Sequence, residues 1–193
     1  MNYKKLFLDF FMLTFSVLLA FLLNSWNEDR KEKNEAQLYL NGIFEEIDYN
    51  IIELDTTIVY HKDLLKKLKD DPRDAIVILK PASLSNEAWV LSENDVFKKH
   101  VHKGLYKKLA QGYHIHEKLT RHSDYASEIM ANSNIFGPYY MAEVLFGEPD
   151  EENMEKFRKL TKSGWVPIFQ DWCYYGVEYL KILKEIKSEY SIN

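Results

Sequence analysis

Apolar and polar positions fall into two regimes along this chain. From Leu6 to Leu23 the run LFLDFFMLTFSVLLAFLL is apolar on nearly every face, and Asp9 is its only charge. A helix that is hydrophobic all round belongs in lipid or in a deep core. At about 1.5 Å per residue the run is roughly 27 Å long, close to the hydrocarbon thickness of a bilayer. It stops at Asn24-Ser25-Trp26-Asn27-Glu28-Asp29-Arg30. Trp26 falls where an amphipathic ring prefers the headgroup level, as a membrane-interface anchor. Beyond this point apolar residues come in stripes. Leu40, Ile43, Ile47, Leu54, Leu64 and Leu68 form a seam at alternating three- and four-residue spacing, with Asn50, Thr57 and His61 in its remaining positions. Glu28 to Lys69 contains no proline and one glycine, Gly42. This predicts a long amphipathic helix that nothing separates from the span. The polar seam positions are expected on its less buried side.

Asp70-Asp71-Pro72-Arg73-Asp74 is expected to end that helix. Ala75–Leu79 is too short for periodicity to choose between strand and helix. Ser85-Asn86-Glu87-Ala88-Trp89 reads as an N-cap opening a short helix, and Asp95 as the N-cap of a second long helix reaching about Asn132. Val101, Leu105, Leu109, Gly112, His116, Leu119, Ser123, Ala126 and Met130 would share its inner face. Short helices are expected at Tyr139–Phe146 and from Pro149 to Ser163-Gly164. Pro167 suits the first turn of a last helix ending near Glu189. Phe169, Trp172, Cys173, Gly176, Leu180 and Leu183 would face inward from it. The predicted fold is all-α: a transmembrane helix, continuous with a long amphipathic helix, then an antiparallel helical bundle. The implied organisation is a tail at residues 1–5, the span at 6–26 and one bundle domain at 27–193.

The apolar run is long for a secretory signal, and no A-x-A-like site follows it, which favours an uncleaved signal-anchor. Lys4 and Lys5 precede the span, whereas Arg30, Lys31 and Lys33 follow it, so charge alone does not orient it. A short tail is easily retained in the cytoplasm, and the domain is expected outside a cell inner membrane, as a single-pass protein. The net charge is −5, with 30 acidic against 25 basic residues. That argues against nucleic acid as a partner, because phosphate binding needs a basic face. Cys173 is the only cysteine, which excludes an internal disulfide and a cysteine zinc site.

The sequence A-x-x-x-N-x-W-x-E-x-R (Ala20, Asn24, Trp26, Glu28, Arg30) resembles the N-terminus of a group of uncharacterised bacterial single-span proteins. These carry an acidic residue early in the span and a helical domain after it. The segment Glu87-Ala88-Trp89, followed by a helix with Tyr113, is also similar. No activity is established for that group. The resemblance implies a bacterial, membrane-anchored helical protein.

Three sets of residues are candidates for function. Asp9, Ser16, Ala20, Asn24 and Asn27 keep to one helical face of the span, and Ser16-x-x-x-Ala20 is a small-xxx-small pattern that lets two helices approach. The stripe is a candidate transmembrane helix–helix interface, with a copy of itself or with another protein. Asp9 alone has a simpler explanation, in which it reaches the membrane surface or pairs with Lys5. The histidines His61, His100, His102, His114, His116 and His122 make no chelating spacing, so no metal is expected. The aromatics of the C-terminal half suit core packing better than a pocket. Trp89, His116, Trp172 and Tyr175 are the pocket or core candidates. No phosphate loop, nucleophile elbow or Cys/His pair is present, so no catalytic residue and no cofactor is expected. The function that fits is a membrane-anchored interaction, scaffold or accessory subunit. The alternative is an extracytoplasmic sensory or ligand-binding bundle acting through a partner.

Overall fold

The computed structural model describes residues 3–70, 80, 82–132, 155, 159, 164 and 166–190, with backbone only for Leu6 and 129–132. The expectations for Ala75–Leu79 and for the helices between Tyr139 and Ser163 lie outside these residues, except that Glu155 and Lys159 are helical. The described chain is all-α. Its elements are α1 (Tyr3–Asp70), α2 (Glu87–Ser92), α3 (Asp95–His100), α4 (Lys103–Asn132) and α5 (Val166–Tyr190).

Helix α1 is a single helix of 68 residues, about 100 Å long. With no proline and no φ-permissive break, the span passes straight into the amphipathic half. Within α1 lies a window long and apolar enough to cross a membrane, and none of it is buried against the rest of the chain. Burial begins at Ala36 and continues through Leu40, Ile43, Ile47, Leu54, Ile58, Leu64, Leu65 and Leu68. Helix α5 lies along α1 and α4, whereas α2 and α3 pack on α1 at the level of Glu32 to Asn50 and meet α4 through the rings of Tyr106 and Tyr113. Phe169, Trp172, Tyr179, Leu183 and Ile186 fill the centre from α5. Each such side chain removed from water contributes roughly 1.5–3 kcal/mol.

Four expectations are corrected. The helix from Asp95 to Asn132 is two helices, because Val101 is extended (φ −90°, ψ 145°) and ends α3. Tertiary contacts hold the break: Val101 is buried, His100 turns toward Glu32, and His102 meets the ring of Tyr190 at 6.1 Å. The cap is Asn94 rather than Asp95. Its Oδ1 accepts from the Phe97 N–H at 2.8 Å, and Asp95 is the acid of the first turn. The polar seam residues Asn50, Thr57 and His61 are not on a less buried side. They are enclosed, at 0–1% exposure, because α5 crosses that part of α1. On α5 itself the inner face is centred on Tyr179, with Leu180 only partly buried.

Candidate functional site

The span carries the first candidate set. Asp9, Ser16, Ala20, Asn24 and Asn27 are all exposed on α1, and so are the apolar side chains described around them. Within one chain the hydroxyls are satisfied locally: Ser16 Oγ donates to the Met12 carbonyl at 2.8 Å, and Thr14 Oγ1 to that of Phe10 at 2.9 Å. Asn24 donates to Glu28 Oε1 at 2.9 Å. Trp26 is exposed, and the Arg30 guanidinium lies 6.0 Å from the centre of its ring, at the limit of a cation–π contact.

Above the span, a short charged clasp ties α3 to α1. Glu32 Oε2 accepts from Lys99 Nζ at 2.5 Å and contacts His100 Nε2 at 2.9 Å; Asp29 Oδ1 is 3.9 Å from the same His nitrogen. The His100 hydrogen bond, then that of Lys99, holds the Glu32 carboxyl below its usual range. The ligand atoms of Asp29, Glu32 and His100 lie within 4.8 Å of one another. The Lys99 ammonium supplies positive charge beside Glu32, and the four side chains together clasp α3 to α1.

The second candidate set gathers around a carboxylate that the sequence pattern did not single out. Glu46 lies one residue before the seam position Ile47 and is 7% exposed. Its Oε1 accepts from the Tyr113 hydroxyl. Its Oε2 accepts from Ser85 Oγ and the Ala88 N–H, both at 2.9 Å. One turn further on, Asn50 Nδ2 donates to the Ser85 carbonyl and Asn50 Oδ1 accepts the Ser85 N–H, both at 2.8 Å. This paired grip fixes the segment before α2, much as a strand partner would. Burial, the Tyr179 hydroxyl and the Glu46 bond together push the Tyr113 phenol far up, so it stays a donor. His116 is buried beside this network. It meets Tyr179 at 5.7 Å and bonds the Leu84 backbone, while its Nε2 has no partner among the described residues. Desolvation lowers its pKa.

Trp89 stacks flat on Tyr113, 4.9 Å apart at 7°, and contacts Tyr106 at 5.5 Å. These rings floor an open groove of about 460 Å³ with Asn86, Glu93, Ala110, His114 and Glu117 around it. Trp89 and His116 thus belong to one region of the molecule. Trp172 and Tyr175 do not join them. Trp172 Nε1 donates to Ser123 Oγ at 3.0 Å, and its ring lies 4.3 Å from His61. Tyr175 stacks on His122 at 5.0 Å. His61 is fully enclosed by Tyr60, Phe169 and Trp172, and neither ring nitrogen has a partner among the described residues. Burial, aided by Lys80, lowers its pKa to about 4, so it is neutral in the folded protein.

Sequence reasoning therefore missed Glu46 and Tyr106, and it named Ser85 only within a helix cap and Tyr179 only among the aromatics of the C-terminal half. The available signal was faint: Glu46 borders the seam, and acids bordering a seam are usually solvated. Comparison of the chain with protein-family models, with curated proteins and with solved structures gives no match.

Proposed function

We propose that the chain is a single-span, membrane-anchored accessory or scaffold subunit, which associates with protein through its span. One observation carries this: the side chains described between Tyr3 and Glu28 of α1 are exposed, with no cover from the described chain, and Asp9, Ser16, Ala20, Asn24 and Asn27 collect on one face. In lipid, association is driven by close packing of small residues and by polar groups that meet across it. Ser16 and Ala20 allow the first, and Asp9, Asn24 and Asn27 offer the second. On this reading the protein is single-pass in a cell inner membrane, with its bundle outside the cytoplasm. Chemical cross-linking of the tagged full chain in native membranes, followed by mild extraction, tests it. A protein partner is expected in the cross-linked species, and its yield falls when Ala20→Ile fills the small-residue contact or Asp9→Leu removes the acid. An uncross-linked chain indifferent to both substitutions would refute it.

A second function, ligand binding by the bundle, is supported by the groove over Trp89 and Tyr106. Its mixed lining of rings, Glu93 and Glu117 suits a small ligand with an apolar body and a cationic group. It would be read as quenching of tryptophan fluorescence that Trp89→Phe abolishes.

A further inference from the structure

The span stripe does not end at the membrane surface. Helix α1 is unbroken, and eighteen residues of α-helix make five full turns, so positions eighteen apart point the same way. Ser16 is followed at that interval by Asn34 and Ile52, and Ala20 by Leu38 and Thr56. Above the membrane this direction is the side of α1 that the bundle leaves open. Ion pairs of Asp48 with Lys187 and Asp55 with Lys184 mark one edge of the packed side. The approach of Gly42 to Ala88 marks the other. Between those edges Leu38 is 72% exposed, Ile52 66% and Val59 68%, with Tyr49 beside them. An amphipathic helix that buries one side normally keeps such residues off the other.

We propose that this face of α1, from Asp9 through Val59, is one continuous seam occupied by a second copy of the chain, in parallel. The inference rests on the span's role as an interface and names its partner. A membrane inserts every copy in the same direction, so two copies meet in register, and each residue on a two-fold axis meets itself. The seam must then consist of groups that tolerate their own kind, and nearly all of it does. Ser16 and Ala20 are small. Asn24, Asn27 and Asn34 carry carboxamides, which both donate and accept and so pair with themselves. Leu38, Ile52 and Val59 bury against their copies. Asp9 has Lys5 one turn away as a countercharge for either copy. Lys31 and Glu45 are the positions that self-pairing disfavours. Because α2, α3 and α5 lie outside the open side, the described parts of the two bundles point away from each other and do not obstruct the seam.

Single-cysteine oxidation in native membranes tests this. Cys173 is buried, so the wild-type full chain serves as the blank. Cysteines placed singly at 16, 20, 27, 38, 52 and 59, oxidised with copper-phenanthroline, are expected to give a band at twice the chain's mass. Positions 18, 22, 55 and 62 on other faces are expected to give little. A second variant, Glu45→Leu, removes a like-charge contact and is expected to raise the yield at 38 and 52 several-fold. Disulfides at 16 to 27 without any at 38 to 59 overturn the continuous seam. Chemical cross-links from the span to proteins of other masses, with no doubled band, overturn self-pairing yet leave the span's association intact. No cross-link of either kind overturns both.

Discussion

Removing one hydroxyl tests whether the Glu46 network holds the bundle together. In Tyr113→Phe the ring remains stacked on Trp89, and only the donor to Glu46 Oε1 is lost. Glu46 keeps its two bonds at Oε2, to Ser85 and Ala88. A hydrogen bond to a charged acceptor contributes about 1.5–3 kcal/mol, and the loss leaves a carboxylate oxygen short of a partner in a buried site. We expect a cost of about 2–3 kcal/mol, which lowers the melting temperature of a domain this size by roughly 5–10 °C. The assay is thermal unfolding of the full chain in detergent, followed by circular dichroism. A double-mutant cycle assigns the effect to the contact. In Glu46→Leu the Tyr113 hydroxyl is itself stranded, so adding Tyr113→Phe is expected to cost less than about 0.5 kcal/mol, or to stabilise. Equal costs in both backgrounds would refute the reasoning, as would a single-mutant cost below about 0.5 kcal/mol.

The buried histidine predicts a pH response. An unfolded His61 takes up its proton near pH 6.5, whereas the folded one resists until about pH 4. Because the unfolded state binds the extra proton, stability is complete above about pH 6.5 and falls as the pH drops toward 4, by up to about 1.4 kcal/mol per pH unit. His61→Phe is expected to flatten that slope, and an unchanged slope in melts across this range contradicts it. Close packing of α5 on α1 predicts that Gly176→Val destabilises by about 1–3 kcal/mol. An added Cβ already lies 3.3 Å from Ile58 and 3.4 Å from Trp172, and denaturant titration reads the cost. Trp89→Ala is expected to cost about 3–5 kcal/mol in the same titration, since its stacked ring is 7% exposed; a loss under 1 kcal/mol contradicts its place in the core.

Much of the helical architecture was legible from the sequence. The continuity of α1 follows from the absence of Gly and Pro between the span and the seam, and the start of α5 from Pro167 in its first turn. The break at Val101 carries no such mark. His100, Val101, His102 and Gly104 are weak helix formers but no breaker stands there, and the contacts of His100 with Glu32 and of His102 with Tyr190 accompany the break. Depth was also invisible. Periodicity assigns Asn50, Thr57 and His61 to a face, but α5 determines how deeply that face is covered. Glu46 is the clearest case. Its partners come from positions 39 to 67 residues away, so nothing local distinguishes it from the solvated acids nearby. The span stripe needed only the 3.6-residue period. Its proposed continuation along α1 needed the bundle, whose contacts leave that side of the helix exposed among the described residues.

The central claim is that the span is an interface and not merely an anchor. The mass of the full chain, extracted in mild detergent and measured by native mass spectrometry, tests it most directly. The account predicts a species heavier than one 22.9 kDa chain, reduced toward the single chain by Ala20→Ile and unaffected by Leu22→Ile on the lipid side. A single chain at every protein concentration and in every detergent, identical for both variants, would contradict it.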